Sequence, residues 1–336
     1  MQAGFTPMNI MLSSAGRRAA FAKLVCHEAT RFGGKVFAVD SSPTSAACRV
    51  CHDWQRVPHC TDPSYLHCLR ELCTKWCIDV LIPLIDTELP ILSSAKAYFQ
   101  AVGTEIAVSG PATVALATDK LAFADFLNSH GLPTPMTVAA EPELIEAALR
   151  KSALNFPLVL KPRTGSGSVG VQRVDDVETL RFFLSRLPGA LVQQLIHGSE
   201  FTVNVYVSRN KTCLAAVPHK RLETRGGEVS KCVTSRLPGL EELARQLVAV
   251  LPDPYGPLCF QLFLDEHGNL PIIELNSRFG GGYPVAHEAG ANFIRCLLEE
   301  RTGAPCDRRL DWRHGVAMLR WDDAVFTTAS DIGEGS

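Results

Sequence analysis

The stretch Ile273–Pro284 reads IELNSRFGGGYP and joins an apolar strand pattern to a glycine-rich turn. Glu274 and Asn276 are two residues apart, so a β-strand directs both side chains to the same side. Gln261 lies on the preceding strand-like segment and can stand beside them. Oxygen ligands of low total charge suit Mg²⁺ that is shared with substrate phosphates. The pattern predicts a magnesium site with Arg278 placed for an anion; the alternative is a polar strand end that binds nothing.

A second stretch, Lys161–Gly170 (KPRTGSGSVG), follows an apolar strand. Its small residues allow backbone N–H groups to approach phosphate oxygens, and the lysine adds a positive charge. The loop lacks the terminal GK[ST] of a P-loop. It also lacks the following helix of a dinucleotide-binding turn. Two interpretations of this loop therefore remain: it binds phosphate, or it is an ordinary β-hairpin loop.

Between these two stretches lie a carboxylate and a basic cluster. Glu200 follows the apolar segment Ala190–Ile196, so it can hold ribose hydroxyls while the segment's backbone contacts an adenine edge. The alternative is an exposed glutamate in a turn. Basic residues surround Gly226-Gly227 and can neutralise a phosphoryl group or a substrate carboxylate, although a solvated hairpin has the same composition. The cluster comprises Lys220, Arg221, Arg225 and Lys231, and the neighbouring His219 is interpreted as structural.

The first third of the chain alternates apolar strands with helical segments, such as Asn9–Ser13 followed by Ala19–Arg31. This alternation predicts an α/β fold with a parallel, doubly wound sheet. Such sheets bind ligands at the carboxyl ends of their strands. The rim then consists of Ser13–Arg18, Asp40 and Pro83–Glu88. A single helix is predicted over Thr87–Ala101, and from Pro157 onward the pattern is α+β with antiparallel strands.

The composition excludes several functional classes. The chain has 336 residues, with 33 basic and 35 acidic side chains and a net charge of −2, which does not favour nucleic-acid binding or polybasic membrane attachment. No apolar run is long enough for a membrane helix. The N-terminus shows no secretory signal pattern, so we expect a cytoplasmic protein. Residues 1–7 are expected to be a short extension or an upstream start.

The 12 cysteines are interpreted as reduced thiols. Cys48-x-x-Cys51-His52 has spacing that also occurs in zinc sites. Further cysteines follow, but no second CxxC pair accompanies it. Buried or incidental thiols are therefore the favoured interpretation, and zinc remains the alternative; the other cysteines of this group are Cys60, Cys68, Cys73 and Cys77.

Taken in order, these elements resemble the ATP-grasp superfamily, and within it stand-alone, single-module relatives of the carbamoyl-phosphate synthase large subunit. The similarity covers about Asn9 to Trp321. The resemblance implies a Rossmann-like pre-ATP-grasp domain (8–110), a small lid subdomain (111–195) and a C-terminal catalytic subdomain (196–325). Its most specific stretches are Ile82–Leu89, Asp119-Lys120, Leu160–Arg163, Gly198–Val205 and Ile273–Pro284.

The resemblance also implies roles for individual residues. The expected cofactors are ATP and Mg²⁺, as two ions that Mn²⁺ can replace. Expected catalytic residues are Arg278, Lys161 and Lys220, and expected metal ligands are Gln261, Glu274 and Asn276. ATP is expected to contact Lys120, Lys161, Gly165, Ser166, Gly167, Ser168, Gln194, Leu195, Ile196 and Glu200. Substrate is expected to contact Arg221, Arg225 and Gly281.

The implied reaction is ATP-dependent activation of a small carboxylate, such as an amino acid, as an acylphosphate that an amine then attacks. The expected partners are these small molecules, with a homodimer as the expected assembly. Phosphorylation of bicarbonate or carbamate, and ATP binding without catalysis, are the alternatives. Three positions depart from the common pattern of relatives: Asn204, Ser277 and Gln194. The phosphate and metal positions are intact, which favours an active enzyme.

Overall fold

The computed structural model describes residues 7–304, 306 and 310–333. The expectation about the N-terminal extension falls largely outside them. The first sheet is fully parallel, with strand order β3-β2-β1-β4-β5. Its strands are β1 (Asn9–Ser13), β2 (Val36–Asp40), β3 (Asp53–Arg56), β4 (Ile78–Pro83) and β5 (Glu105–Ile106). The predicted parallel sheet is therefore confirmed.

The helices of this region are α1 (Ala19–Arg31), α2 (Tyr65–Lys75), α3 (Leu89–Ser94) and α4 (Lys96–Gln100), with short 3₁₀ turns at Ala47–Val50 and Asp86–Glu88. The single helix predicted over Thr87–Ala101 is wrong. It is broken at Ala95, and its start is a 3₁₀ turn. The buried Glu88 carboxylate accepts hydrogen bonds from the backbone N–H groups of Leu84 and Ile85, which fixes this tighter turn.

Two carboxylates hold the loop after β1 at the rim of the sheet. Asp40 accepts a 2.7 Å hydrogen bond from the Gly16 backbone N–H. Glu88 accepts hydrogen bonds from the hydroxyls of Tyr65 (2.6 Å) and Ser14 (3.0 Å). Burial raises the pKa of Glu88, and the hydrogen bonds from Tyr65 and from the backbone of Leu84 and Ile85 oppose the rise. The loop that carries Arg18 is thereby fixed against the carboxyl ends of β1, β2 and β4.

A smaller antiparallel sheet follows, with order β6-β9-β7-β8. The Asp119 side chain caps helix α6 (Lys120–Ser129) by accepting hydrogen bonds from two backbone N–H groups. The elements of this region are α5 (Pro111–Thr118), α6 (Lys120–Ser129), β6 (Thr137–Ala139), α7 (Pro142–Arg150), β7 (Leu158–Pro162), β8 (Gln172–Val174), α8 (Val177–Leu184) and β9 (Ala190–Gln194).

The third sheet has order β14-β13-β10-β11-β12-β15, and its neighbouring strands are antiparallel. The sheet therefore confirms the predicted antiparallel α+β region. Its strands are β10 (Gly198–Val207), β11 (Cys213–Arg225), β12 (Glu228–Thr234), β13 (Gly256–Asp265), β14 (Ile272–Asn276) and β15 (Ala317–Leu319). Helices α9 (Leu240–Val250), α10 (Tyr283–Glu288) and α11 (Phe293–Arg301) and a 3₁₀ turn at Ser330–Ile332 complete the described elements.

Strand alternation gives the third sheet one apolar and one polar face near β10. Phe201, Val203 and Val205 are buried in a core that also contains Leu243 and Leu247 of α9. Residues at the alternate positions of β10 lie on the opposite face. The apolar face anchors the sheet, since burying such side chains stabilises by about 1.5–3 kcal/mol each. The polar face is therefore available for chemistry.

The three sheets use strands from residues 9–106, 137–194 and 198–319. The domain boundaries after residues 110 and 195 agree with this division but stay predictions. Within the described part of the chain, no helix is both long and apolar enough to cross a bilayer.

Candidate active site

The polar face of the third sheet carries the predicted oxygen ligands side by side. In the strand register, Gln261 of β13 is the direct partner of Glu274 of β14, and Cys259 is the partner of Asn276. The Asn276 amide donates to a Glu274 carboxylate oxygen at 3.4 Å. The structure thus brings together two amide groups and one carboxylate, a donor set that suits Mg²⁺.

A first cavity of about 200 Å³ opens between the second and third sheets. Basic side chains, the glycine–serine loop and two carboxylates meet around it. Glu274 and Glu200 contribute the carboxylates, and Gly165, Ser166 and Ser168 belong to the loop. The basic side chains are Lys120 and Lys161.

Lys161 is a buried cation in this cavity. Its Nζ atom donates a 2.9 Å hydrogen bond to the Gln193 side-chain oxygen. Burial lowers the pKa of Lys161 to about 8, while the Glu274 carboxylate opposes the shift. Lys120 Nζ donates to the Gly165 carbonyl oxygen at 2.5 Å. Two ammonium groups therefore stand at the loop, where they can bind phosphate oxygens.

A second cavity of about 220 Å³ lies on the other side of Gln261 and Glu274. Ser166, Gln261 and Glu274 line both cavities. The second cavity has more basic than acidic side chains, since Arg17, Arg18, Arg221 and Arg278 line it together with Glu228 and Glu274. A group in the first cavity and an anion in the second would therefore meet beside the oxygen ligands.

Arg278 connects the third sheet to the first. Its guanidinium forms two hydrogen bonds to the Asp86 carboxylate, at 2.7 and 2.6 Å. It also donates to the Asn276 side-chain oxygen at 3.3 Å. Burial disfavours the charged guanidinium, but Asp86 outweighs burial and raises the pKa of Arg278. Arg278 therefore remains a fixed positive charge beside the oxygen ligands.

Glu200 and Arg221 form a second ion pair within the site. Arg221 donates to the Glu200 carboxylate at 2.5 Å and to the Gly227 carbonyl oxygen at 3.0 Å. Burial raises the pKa of Glu200, and Arg221 opposes that rise. The pair connects the carboxylate at the first cavity with the hairpin tip at the second.

The glycine–serine loop touches the tip of the β11–β12 hairpin. A Cβ atom on Gly227 would lie 2.2 Å from the backbone of Gly167. Gly227 also has a φ of +76°, which disfavours any side chain. This direct backbone contact places the loop over the junction of the two cavities.

Two family models match this chain. Residues 117–282 match the family model of the ATP-grasp domain, and residues 10–107 match the model of the PylC-like N-terminal domain. The two matched regions include the loop, the oxygen ligands and the first sheet. The chain contains an ATP-grasp domain. The predicted resemblance to this superfamily is therefore confirmed.

Individual relatives of this ATP-grasp chain are distant. A carbamoyl-phosphate synthase of Methanobrevibacter smithii is 28% identical over 131 residues, which are 38% of this chain and 35% of that protein. A D-alanine–D-alanine ligase of Pseudomonas putida is 28% identical over 227 residues, or 61% of this chain and 70% of that protein. The relation to ligases confirms, at the level of the family, the expectation of an ATP-grasp ligase.

Solved structures share the fold over most of this chain. N5-carboxyaminoimidazole synthetase from Staphylococcus aureus, solved with ADP, superposes with a TM-score of 0.73. The superposition covers 92% of this chain and 80% of that one, at 18% identity. The predicted order, a Rossmann-like domain followed by a two-part ATP-grasp fold, is thereby confirmed.

Three predicted site residues point elsewhere in the ATP-grasp fold. Gln194 exchanges hydrogen bonds with the backbone of Asn155, and its neighbour Gln193 lines the first cavity instead. Lys220 is paired with Phe201 across the strands and shares its face, opposite to Arg221. Arg225 is exposed and forms ion pairs with Glu223 and Asp322. Gln194 and Lys220 thus lie on the opposite faces of their strands from the residues that line the site. Arg225 lies at the exposed tip of the hairpin.

Other expected residues lie at or near the cavities. Gly281 lines the second cavity, as does Gly167. Leu195 and Ile196 are half-buried in the connection between β9 and β10. Lys231 is ion-paired with Glu223, so it belongs to the surface of the hairpin.

Three site residues were not predicted as such: Gln193, Asp86 and Arg18. Asp86 lies in the stretch Ile82–Leu89 that carried the family resemblance, and Arg18 lies on the predicted rim. The position of both at carboxyl ends of parallel strands was the available signal. Gln193 and Gln194 are identical in type, so only the strand register distinguishes them.

His219 and the Cys48-x-x-Cys51-His52 stretch do not line either of the two cavities. His219 is fully buried with its Nδ1 atom 3.1 Å from the Asn204 amide nitrogen, and burial lowers its pKa to about 3. His52 accepts a hydrogen bond from the Val36 backbone N–H. Among the side chains that the structure describes, Cys48 and Cys51 join no group of three metal-ligating residues. The interpretation of these cysteines as thiols without metal stays a prediction.

Proposed function

We propose that this protein is an ATP-dependent carboxylate–amine ligase that works through an acylphosphate. The observation that carries this proposal is the wall shared by the two cavities. Ser166, Gln261 and Glu274 line both. A phosphoryl donor in the first cavity and a carboxylate in the second would therefore meet at one set of oxygen ligands.

The first cavity suits ATP. Lys120 and Lys161 would bind its phosphates together with backbone N–H groups of the glycine–serine loop. Glu200 would accept hydrogen bonds from ribose hydroxyls. The backbone of Leu195 and Ile196 would contact the adenine edge, as the sequence predicts, and Gln193 extends this side of the cavity.

Gln261, Glu274 and Asn276 would hold Mg²⁺, in keeping with their oxygen donors and the Mg²⁺ dependence typical of ATP-grasp enzymes. When bound, the ion supplies charge neutralisation between ATP and the acceptor. Two ions, and replacement by Mn²⁺, are part of the proposal. Arg278 would contact the transferring phosphoryl group. Its ion pair with Asp86 keeps the guanidinium charged and fixes its orientation.

The proposed reaction has two steps. A carboxylate oxygen attacks the γ-phosphorus of ATP, an O–P bond forms, and the bond to ADP breaks. An amine then attacks the acyl carbon, the C–N bond forms, and the C–O bond to phosphate breaks. Overall the amine loses one proton and phosphate gains it. Arg278 and Lys161 would stabilise the negative charge of the transferring group, so catalysis depends on positioning and electrostatics.

The proposed partners are a small carboxylate and a small amine. The balanced net charge and the absence of a polybasic patch in the sequence do not favour nucleic acid or membrane. A cytoplasmic location and a homodimer stay predictions.

The test measures ADP and phosphate release from Mg-ATP with pools of amino acids and other small carboxylates. The variant is Glu274→Gln, and Glu266→Gln on the exposed β13–β14 turn is the matched control. We expect release that depends on a pool, is lost in Glu274→Gln and is kept in the control. Release that needs only bicarbonate and ammonia would instead support a carbamoyl-phosphate synthase-like reaction. ATP binding with no release from any pool would contradict the ligase and favour a nucleotide-binding regulator.

A further inference from the structure

A third cavity, of about 480 Å³, adjoins the second. Arg17, Arg18 and Glu228 line both, together with Gly280 and Gly281. The third cavity is lined by neither the glycine–serine loop nor the oxygen ligands. A molecule bound there would lie away from the γ-phosphate and would approach the second cavity from the side opposite to ATP.

Arg18 is a half-buried cation at the junction of the second and third cavities. Its Nη1 atom donates a 2.8 Å hydrogen bond to the Phe279 carbonyl oxygen. Burial lowers the pKa of Arg18 to about 10, and the neighbouring Arg278 contributes to the shift. Across residues 7–304, 306 and 310–333, no carboxylate lies within 4.0 Å of its guanidinium.

The nearby carboxylates are engaged by other arginines. Asp86 binds Arg278. Glu228 lies 3.5 Å from Arg17 and 3.4 Å from Arg320. The charges of Glu228 and Asp86 raise the pKa of Arg18 against the effect of burial, but within the described residues neither carboxylate forms an ion pair with it. Arg18 can therefore pair with an anion that enters either cavity.

Three more charged side chains, Lys23, Arg320 and Asp323, line the third cavity, and its remaining wall is apolar. It includes Phe21, Pro284, Met318, Leu319 and Trp321. Leu319 is 63% exposed and Trp321 is 78% exposed. Large apolar side chains left open beside a cavity favour contact with an apolar ligand.

We propose that Arg18 and the third cavity bind the amine substrate, and that this substrate is an α-amino acid with a large apolar side chain. Its α-carboxylate pairs with Arg18, its amine faces the second cavity, and its side chain packs against Trp321 and Leu319. The amine and carboxylate of an α-amino acid share one carbon atom, so a carboxylate held at the junction keeps the amine near the acylphosphate. This inference rests on the proposed ligase function.

The test is a calorimetric titration of the full chain with Mg-ADP present. The probes are L- and D-phenylalanine, 2-phenylethylamine, which lacks the carboxylate, and glycine, which lacks the side chain. We expect one phenylalanine enantiomer to bind about tenfold or more tightly than either truncated probe. Comparable affinity for glycine and phenylalanine would overturn the proposal.

Two variants assign the contacts. Arg18→Gln is expected to weaken phenylalanine binding about tenfold while leaving 2-phenylethylamine binding unchanged, which also shows that the variant is folded. Trp321→Ala is expected to weaken phenylalanine binding about fivefold and leave glycine unchanged. Phe326→Ala, 94% exposed in the same C-terminal segment, is the control and should match the wild type. A change in sedimentation of Trp321→Ala without a change in binding would indicate a contact between copies instead.

Phosphate release separates this inference from the proposed function. Selective phenylalanine binding without release from any carboxylate pool would contradict the ligase and leave the amino-acid cavity standing. Release that uses only ammonia or glycine, and is unaffected by Trp321→Ala, would keep the ligase and overturn the amino-acid cavity.

Discussion

Lys161 is a buried ammonium at the phosphate end of the first cavity, and its protonation governs ATP binding in this account. Burial holds its pKa at about 8 in the free protein. As pH rises through this value, the free protein loses the positive charge that ATP phosphates need. We predict that kcat/KM for Mg-ATP falls with an apparent pKa near 8, because this parameter reports the free enzyme.

The matched variant is Lys161→Arg, which stays charged at every pH of the assay. In this variant, the decrease of kcat/KM with rising pH should begin at least one pH unit higher, even if the maximal rate is lower. If kcat/KM of Lys161→Arg decreases over the same pH range as that of the wild type, the titrating group is not Lys161.

Residue-scale prediction from sequence succeeded where strand alternation was enough. The Glu274-x-Asn276 spacing placed both side chains on one face before any register was known. Sequence-based prediction failed where the result depended on which face of a strand a residue occupies or on how strands pair. Gln193 and Gln194 differ only in which face of β9 they occupy, and Lys220 alternates with Arg221 on β11. The direction of Arg18 depends on the loop after β1, which no periodicity describes.

At the scale of elements, the contact between the glycine–serine loop and the β11–β12 hairpin is the feature most open to test. Gly227→Ala would place a methyl group against the backbone of Gly167. We expect the loop to move away from the hairpin. KM for Mg-ATP should rise about tenfold, since the loop covers the phosphates, and trypsin should cleave at Arg163 faster.

Gly268→Ala is the control for this variant. Gly268 also has a positive φ, of +82°, but a Cβ there meets nothing within 4 Å. It reproduces the backbone strain without the steric contact. Equal KM and proteolysis in both variants would show that strain alone, rather than separation of loop and hairpin, is responsible.

Most elements were predictable because strands of buried sheets are apolar runs and helices are amphipathic. The edge strand β3 was missed since its four residues are mostly exposed. The apolar pattern of β11 ends near Pro218, because the outer half of the strand carries the basic hairpin and has no apolar alternation. Pairing with β12 extends that half.

On the scale of the whole molecule, the Asp86–Arg278 pair joins the first sheet to the third. The two residues are 192 positions apart, and a separation of this kind is invisible to local patterns. Asp86→Asn would leave the Arg278 charge, only 11% exposed, without its carboxylate. We predict a loss of roughly 2–3 kcal/mol in the free energy of unfolding, below a fully buried pair because Asp86 is partly exposed.

Urea unfolding followed by tryptophan fluorescence measures this loss. Glu146→Gln, which breaks the exposed pair with Arg150, is the control and should change stability by less than about 0.5 kcal/mol. Equal small losses in both variants would mean that the Asp86–Arg278 pair does not hold the sheets together.

The central claim is that ATP phosphorylates a substrate carboxylate in this protein. The most direct measurement uses amino-acid pools with ¹⁸O in their carboxylates and determines the mass of the phosphate released from Mg-ATP. The account predicts one ¹⁸O atom in each released phosphate, because the attacking carboxylate oxygen leaves with the phosphorus. Release of unlabelled phosphate, or formation of AMP and pyrophosphate, would contradict it.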